Sequence, residues 1–86
     1  FAYRSLVGAE FQEHVVVCGY GRVGQNIVQL LRDHHYPVVV IDQSERQIQE
    51  LREKGIPYIY GNAASLHVLE KAGVGNAKGM AIALPD

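Results

Sequence analysis

Three glycines and one aspartate carry the chemistry that this sequence offers. Gly19, Gly21 and Gly24 stand in the spacing G-x-G-x-x-G, and Asp42 closes an apolar run further along, about 20 residues on, where the acidic partner of such a loop belongs. Gly19 permits a tight turn out of a strand. Gly21 has no side chain to keep a phosphate from the backbone, and Gly24 lets a helix approach a sheet closely. The N–H groups of Arg22, Val23 and Gly24 then face the ligand with the positive end of the helix dipole behind them, which favours an anion. Asp42 is suited to accept hydrogen bonds from ribose hydroxyls. Its charge repels a 2′-phosphate, so NAD or an adenosine nucleotide is preferred over NADP.

This spacing has that meaning only where a strand precedes it and a helix follows. Four short apolar runs meet the requirement: "HVVVC" at 14–18, "VVVI" at 38–41, "YIY" at 58–60 and "MAIAL" at 80–84. Their regular separation is that of βα units, and their near-continuous apolar character indicates a parallel sheet covered on both faces. Between the first two runs, Val23, Ile27, Leu30 and Leu31 recur at helical spacing over 22–34, and Pro37 stands where a helix cannot continue. A second helix starts at Ser44, which with Gln47 makes a capping box; it buries Ile48 and Leu51 and stops at Gly55. A third, over about 64–72, carries Leu66, Leu69 and Ala72 on one face and stops at Gly73. The order β-α-β-α-β-α-β with right-handed crossovers predicts a Rossmann-like, doubly wound αβα fold. The "AIALPD" ending, at a ligand-facing strand end, suggests that the module is truncated after its fourth strand.

Other residues invite a functional reading and receive a plainer one. Gly61, Asn62 and Ala63 follow the third strand and open the third helix beside the glycine loop. Asn62 either caps that helix or reaches the adenine or ribose, and capping is the plainer alternative. The glycines of "GVGNAKG" at 73–79 follow a helix and precede a strand, the wrong order for phosphate, and read as a C-cap and turn. His14, His34, His35 and His67 match no metal-ligand spacing and read as surface or half-buried residues. Cys18 lies inside a strand with no C-x-x-C partner and reads as a small buried hydrophobe in a reducing compartment. Glu45, Arg46, Glu50, Arg52, Glu53 and Lys54 form a solvated face, with Arg46 and Glu50 one helical turn apart.

Bulk properties narrow the classes further. Eighty-six residues, 48% hydrophobic and 20% charged, make one small domain with a marginal core. A formal net charge of −1 with no basic cluster argues against nucleic acid. No apolar stretch approaches the roughly 20 residues of a spanning helix. Residues 1–13 show no period and read as a lead-in, with Phe1, Tyr3 and Leu6 as an apolar anchor. No catalytic acid or base and no substrate-binding region accompany the glycine loop, so binding without chemistry is the simpler account.

The segments "VVVCGYGRVGQNIVQLLRD", "VVVIDQS", "YIYGNAA" and "AIALPD", in that order, resemble the RCK-N domains, also called KTN or TrkA-N, that regulate potassium channels and transporters. With Arg22-Val23-Gly24 and "LREKGIPYIYGNA", the version here is most similar to the cytoplasmic domain of Kef-type monovalent cation:proton antiporters. The resemblance covers about residues 14–86 and implies a non-enzymatic regulatory module that binds AMP, NAD(H) or another adenine nucleotide. It implies that Gly19, Gly21, Arg22, Val23 and Gly24 hold phosphate, with Tyr20 in the same loop, and that Asp42 and Gln43 face ribose and adenine. Asn62 and Ala63 complete the binding set, Asn62 standing where many relatives have Asp. A homodimer, a transmembrane antiporter domain in the same polypeptide and a place on the cytoplasmic face of the inner membrane are implied in the same way. The rival readings are the cofactor-binding half of an NAD-dependent oxidoreductase and a docking domain with a vestigial site.

Overall fold

The computed structural model describes residues 13–83; the lead-in expected over 1–13, with its anchor residues, lies almost wholly outside them. Four strands, β1 (Val15–Cys18), β2 (Val38–Asp42), β3 (Tyr58–Tyr60) and β4 (Gly79–Ile82), alternate with helices α1 (Arg22–Asp33), α2 (Glu45–Lys54) and α3 (Leu66–Lys71), and a 3-10 turn at Val74–Asn76 precedes β4. The strands form one sheet in the order β3-β2-β1-β4, with every neighbouring pair parallel. In register, Val15 faces Val38 and Gly79, while Cys18 faces Ile41 and Ile82. The order reverses at β1, so the crevice between the loops after β1 and β4 opens at the carboxyl ends of the strands.

Alternation along β1 and β2 sends side chains to two core layers. Val17, Val38 and Val40 meet Tyr20, Val28, Ile48, Leu51 and Ile56, so α1 and α2 cover one face. Val16, Cys18, Val39 and Ile41 meet Ile59 and Ala72, with Val68 and Leu69 of α3 against the other. The Rossmann-like αβα arrangement follows from the sequence pattern. Among the described residues neither layer contains one from β4. Ile82 is 66% exposed, so the expected cover on both faces holds for β1 and β2 but not for β4 among the described residues.

The helix ends show which local signals act. Gly55 adopts φ 70°, donates to the Arg52 carbonyl, and lets the Ile56 N–H reach the Leu51 carbonyl at 3.0 Å, a Schellman ending sealed by burial of Ile56 and Leu51. Gly73 likewise adopts φ 72° just after α3, as a terminating glycine. Four expectations need correction. α1 buries Gly24 and Val28, with Ile27 and Leu31 partly covered, and leaves Leu30 60% exposed. α3 is shorter than expected and its Leu66 is 71% exposed, because Ser65, not an earlier residue, is the N-cap. Glu50 pairs with Lys54 at 3.0 Å, one turn ahead, in place of Arg46. His14 is fully buried, and its Nε2 donates to the Ala72 carbonyl at 2.8 Å, since a carbonyl only accepts.

Candidate functional site

The glycine loop is built by contacts that tolerate little else at two of its three glycines. Gly19 leaves β1 with φ 106° and donates to the Ile41 carbonyl at 2.8 Å; a side chain there would also stand 2.8 Å from the Ala83 carbonyl. A Cβ at Gly24 would lie 2.0 Å from the Gly19 carbonyl oxygen, so the first turn of α1 rests directly on the loop before it. Gly21 is different. It is the N-cap of α1, with an extended backbone and, among the described residues, no neighbouring atom within 4 Å of where a Cβ would stand. Packing requires glycine at 19 and 24, whereas at 21 the requirement is open space over a helix N-terminus, whose first N–H groups have no acceptor within the helix.

Asp42 joins the loops that surround this space. Its Oδ2 accepts the Tyr20 N–H and its Oδ1 the Ser44 N–H, both at 2.8 Å, and its main-chain carbonyl accepts the Gly61 N–H at 3.0 Å. One residue at the end of β2 thus holds the loops after β1 and β3 and the start of α2. An ionised carboxylate has about four lone-pair sites. Two are used here, leaving acceptor capacity for further hydroxyls.

This arrangement replaces the capping box. Ser44 is the N-cap of α2 by position, yet its side chain makes no cap hydrogen bond, and its own N–H is taken by Asp42, not by Gln47. Asn62 does not cap α3 either. Its Oδ1 accepts the Ala64 N–H at 2.8 Å and its carbonyl accepts the Ser65 N–H, and Ser65 then caps the helix through a 3.4 Å bond from Val68. Gly61 admits α3, because a Cβ there would lie 2.6 Å from a Val68 methyl.

A cleft of about 500 Å³ opens over these groups, within the size range of small-ligand pockets. Gly19, Tyr20, Gly21, Asp42, Gln43, Asn62 and Ala63 line it. Arg22, Val23 and Gly24 form the turn of α1 at its border and are not part of its lining. The Tyr20 ring turns away into the core, 2% exposed, so that residue offers the cleft only its backbone. Ser44 and Gln47 also line the cleft; sequence reasoning assigned both to capping, and the signal against this was Asp42 two residues earlier, in position for an Asx turn. Cys18 borders the cleft, and burial pushes its thiol pKa up, which keeps it protonated and unreactive. Among the described residues no cluster of His, Cys, Asp or Glu could hold a metal ion, and no helix is long and apolar enough to cross a membrane.

The sheet order, the helices on both faces and a glycine turn opening onto a cleft at the strand ends define a Rossmann-like α/β module. Residues 15–86 match the TrkA-N domain model, and the chain belongs to the TrkA-N family. It is 40% identical over 86 residues to K(+) efflux antiporter 1, chloroplastic, of Arabidopsis thaliana, a match covering 94% of this chain and 7% of that protein. Its fold superposes on the TrkA-N domain of the inner membrane protein ybaL from Escherichia coli with a TM-score of 0.84 at 34% identity, covering 90% of this chain and 57% of that one. The Shewanella denitrificans Kef CTD, solved in an AMP-bound form, matches with a TM-score of 0.72 at 34% identity, over 85% of this chain and 42% of that one. The chain therefore spans only a small part of the antiporter it matches.

Proposed function

We propose that this chain is the nucleotide-sensing regulatory domain of a potassium or other cation:proton antiporter, and that it binds AMP, NAD(H) or a related adenine nucleotide to gate transport. The carrying observation is that Gly21, the open N-cap of α1, and Asp42 line one cleft. A phosphate suits the first, because helix N-terminal N–H groups and the helix dipole favour an anion. Ribose hydroxyls suit the remaining lone pairs of Asp42. The AMP-bound form of the Kef CTD and the efflux antiporter among the relatives support the same reading. Pairing with a second copy and linkage to a transmembrane antiporter domain at the cytoplasmic face of the membrane belong to this proposal. Gating then requires that the nucleotide bind two arrangements of the paired domains with different affinity, since equal affinity shifts no equilibrium.

Among the described residues the cleft lining carries one carboxylate, Asp42, held by two backbone N–H groups. Calorimetry on the purified protein with AMP and with 2′,3′-dideoxy-AMP tests the assignment. AMP is expected to bind at least about tenfold more tightly, the scale of a hydrogen bond to a charged acceptor, and Asp42→Ala is expected to weaken AMP and erase that difference. Equal affinity of the wild-type protein for the two ligands removes the ribose role of Asp42. Absence of any nucleotide binding removes the proposal.

A further inference from the structure

The cleft contains a side-chain amide that the fold leaves unused. Gln47 lies in the first turn of α2, half-buried in the cleft lining, and its side chain makes no hydrogen bond within the described residues. Its sequence role, to reach back to the Ser44 N–H, is pre-empted by Asp42 Oδ1 at 2.8 Å. The other amides of the lining are placed differently. Asn62 is exposed, with its carbonyl oxygen committed to Ala64 N–H, and Gln43 is exposed in the connection between β2 and α2. Gln47 is therefore the amide held on a regular helix, partly withdrawn from water, with both donor and acceptor capacity unspent.

The topology says which part of a nucleotide it meets. On the nucleotide reading the phosphate lies at Gly21 and the start of α1, after β1, and Asp42 at the end of the neighbouring β2 stands next. A nucleotide lying from phosphate to ribose along this direction carries its base onward to the start of α2 and the loop after β3. We propose that Gln47 is a specificity-determining residue that hydrogen-bonds the 6-amino edge of the adenine ring. An amide presents one acceptor and two donors, and adenine presents an amino donor beside a ring-nitrogen acceptor on either edge, so the two are complementary. This rests on the nucleotide reading above, and extends it from a ribose-phosphate site to one that recognises the base.

The probes are AMP and purine riboside 5′-monophosphate, which lacks the 6-amino group, titrated calorimetrically into the wild-type protein and into Gln47→Leu, Gln47→Glu and Asp42→Ala. Thermal melts of the ligand-free variants establish that each is folded. The wild type is expected to prefer AMP by about tenfold. Gln47→Leu loses that preference by weakening AMP more than the probe, which keeps only the ring-nitrogen acceptor, and Gln47→Glu retains it, because a carboxylate still accepts from the amino group. A structural role for Gln47 would move both ligands equally and leave the ratio intact. If Gln47→Leu keeps the wild-type preference while Asp42→Ala loses AMP, the base is read elsewhere and the inference falls with the nucleotide reading intact. If the wild type binds neither probe, both fall together.

Discussion

Gly21 and Gly24 sit three residues apart under opposite constraints, and a single methyl group separates them experimentally. At Gly24 the added Cβ meets a backbone oxygen at 2.0 Å, which no rotamer change relieves, so Gly24→Ala must displace the loop or the helix. Its cost is expected at or above the upper end of the usual overpacking range, about 3 kcal/mol. At Gly21 the methyl meets nothing, and Gly21→Ala should cost no more than about 1 kcal/mol, as a poorer N-cap. The same methyl occupies the space assigned to phosphate, so Gly21→Ala should melt close to wild type in urea yet bind AMP weakly, whereas Gly24→Ala should fail in the melt. Matching stability losses at both positions contradict the assignment. The three glycines and Asp42 were legible in the sequence because their spacing encodes backbone requirements. The bonds from Tyr20 and Ser44 to Asp42 were not, since an aspartate expected to face a ribose gives no sign that backbone N–H groups already hold it.

The helices illustrate why existence is easier to read than orientation. α1 has two overlapping apolar stripes, one through Val23, Ile27 and Leu30 and one through Gly24, Ile27, Val28 and Leu31, and only the second faces the sheet. Gly24 hid it, because a glycine adds nothing to an apolar pattern although its smallness is what allows contact with Gly19. In α2 the pattern was unambiguous: Ile48 and Leu51 are buried and the Schellman glycine stands at the end. Leu51→Ala is accordingly expected to cost about 2–5 kcal/mol, the range for deleting a buried leucine side chain. Leu30→Ala should stay within about 0.5 kcal/mol, as surface substitutions do. Denaturant midpoints for the two variants check the contrast, and equal losses would mean that α1 turns its other stripe inward. His14 marks a different limit. Its acceptor is the carbonyl of Ala72, an orphan group at the C-terminus of α3, and nothing near residue 14 in the chain announces a partner 58 residues away.

At the scale of the molecule, the walls of the cleft come from segments far apart in the chain: the loops after β1, β2 and β3 and the end of β4. Among the described residues β4 contributes to neither layer of the core beneath them. A ligand held between these loops binds the native arrangement and has no equivalent site on the unfolded chain, so occupancy must raise global stability by mass action. At a free AMP concentration one hundred times Kd the gain is about 2.7 kcal/mol. For a domain of this size each kcal/mol moves the melting midpoint by roughly 4–8 °C, which predicts a rise of about 10–20 °C, increasing with the logarithm of AMP concentration. Hydrogen exchange locates the effect. The Tyr20 and Gly61 amides, both bonded to Asp42 across different loops, should gain protection together on adding AMP. The His34 amide, bonded within the far end of α1, should change only as much as the global stability does. A midpoint indifferent to AMP would show that the cleft does not hold the nucleotide. A midpoint that rises while the Tyr20 and Gly61 amides follow only the global change would place the nucleotide away from the loops that Asp42 ties together.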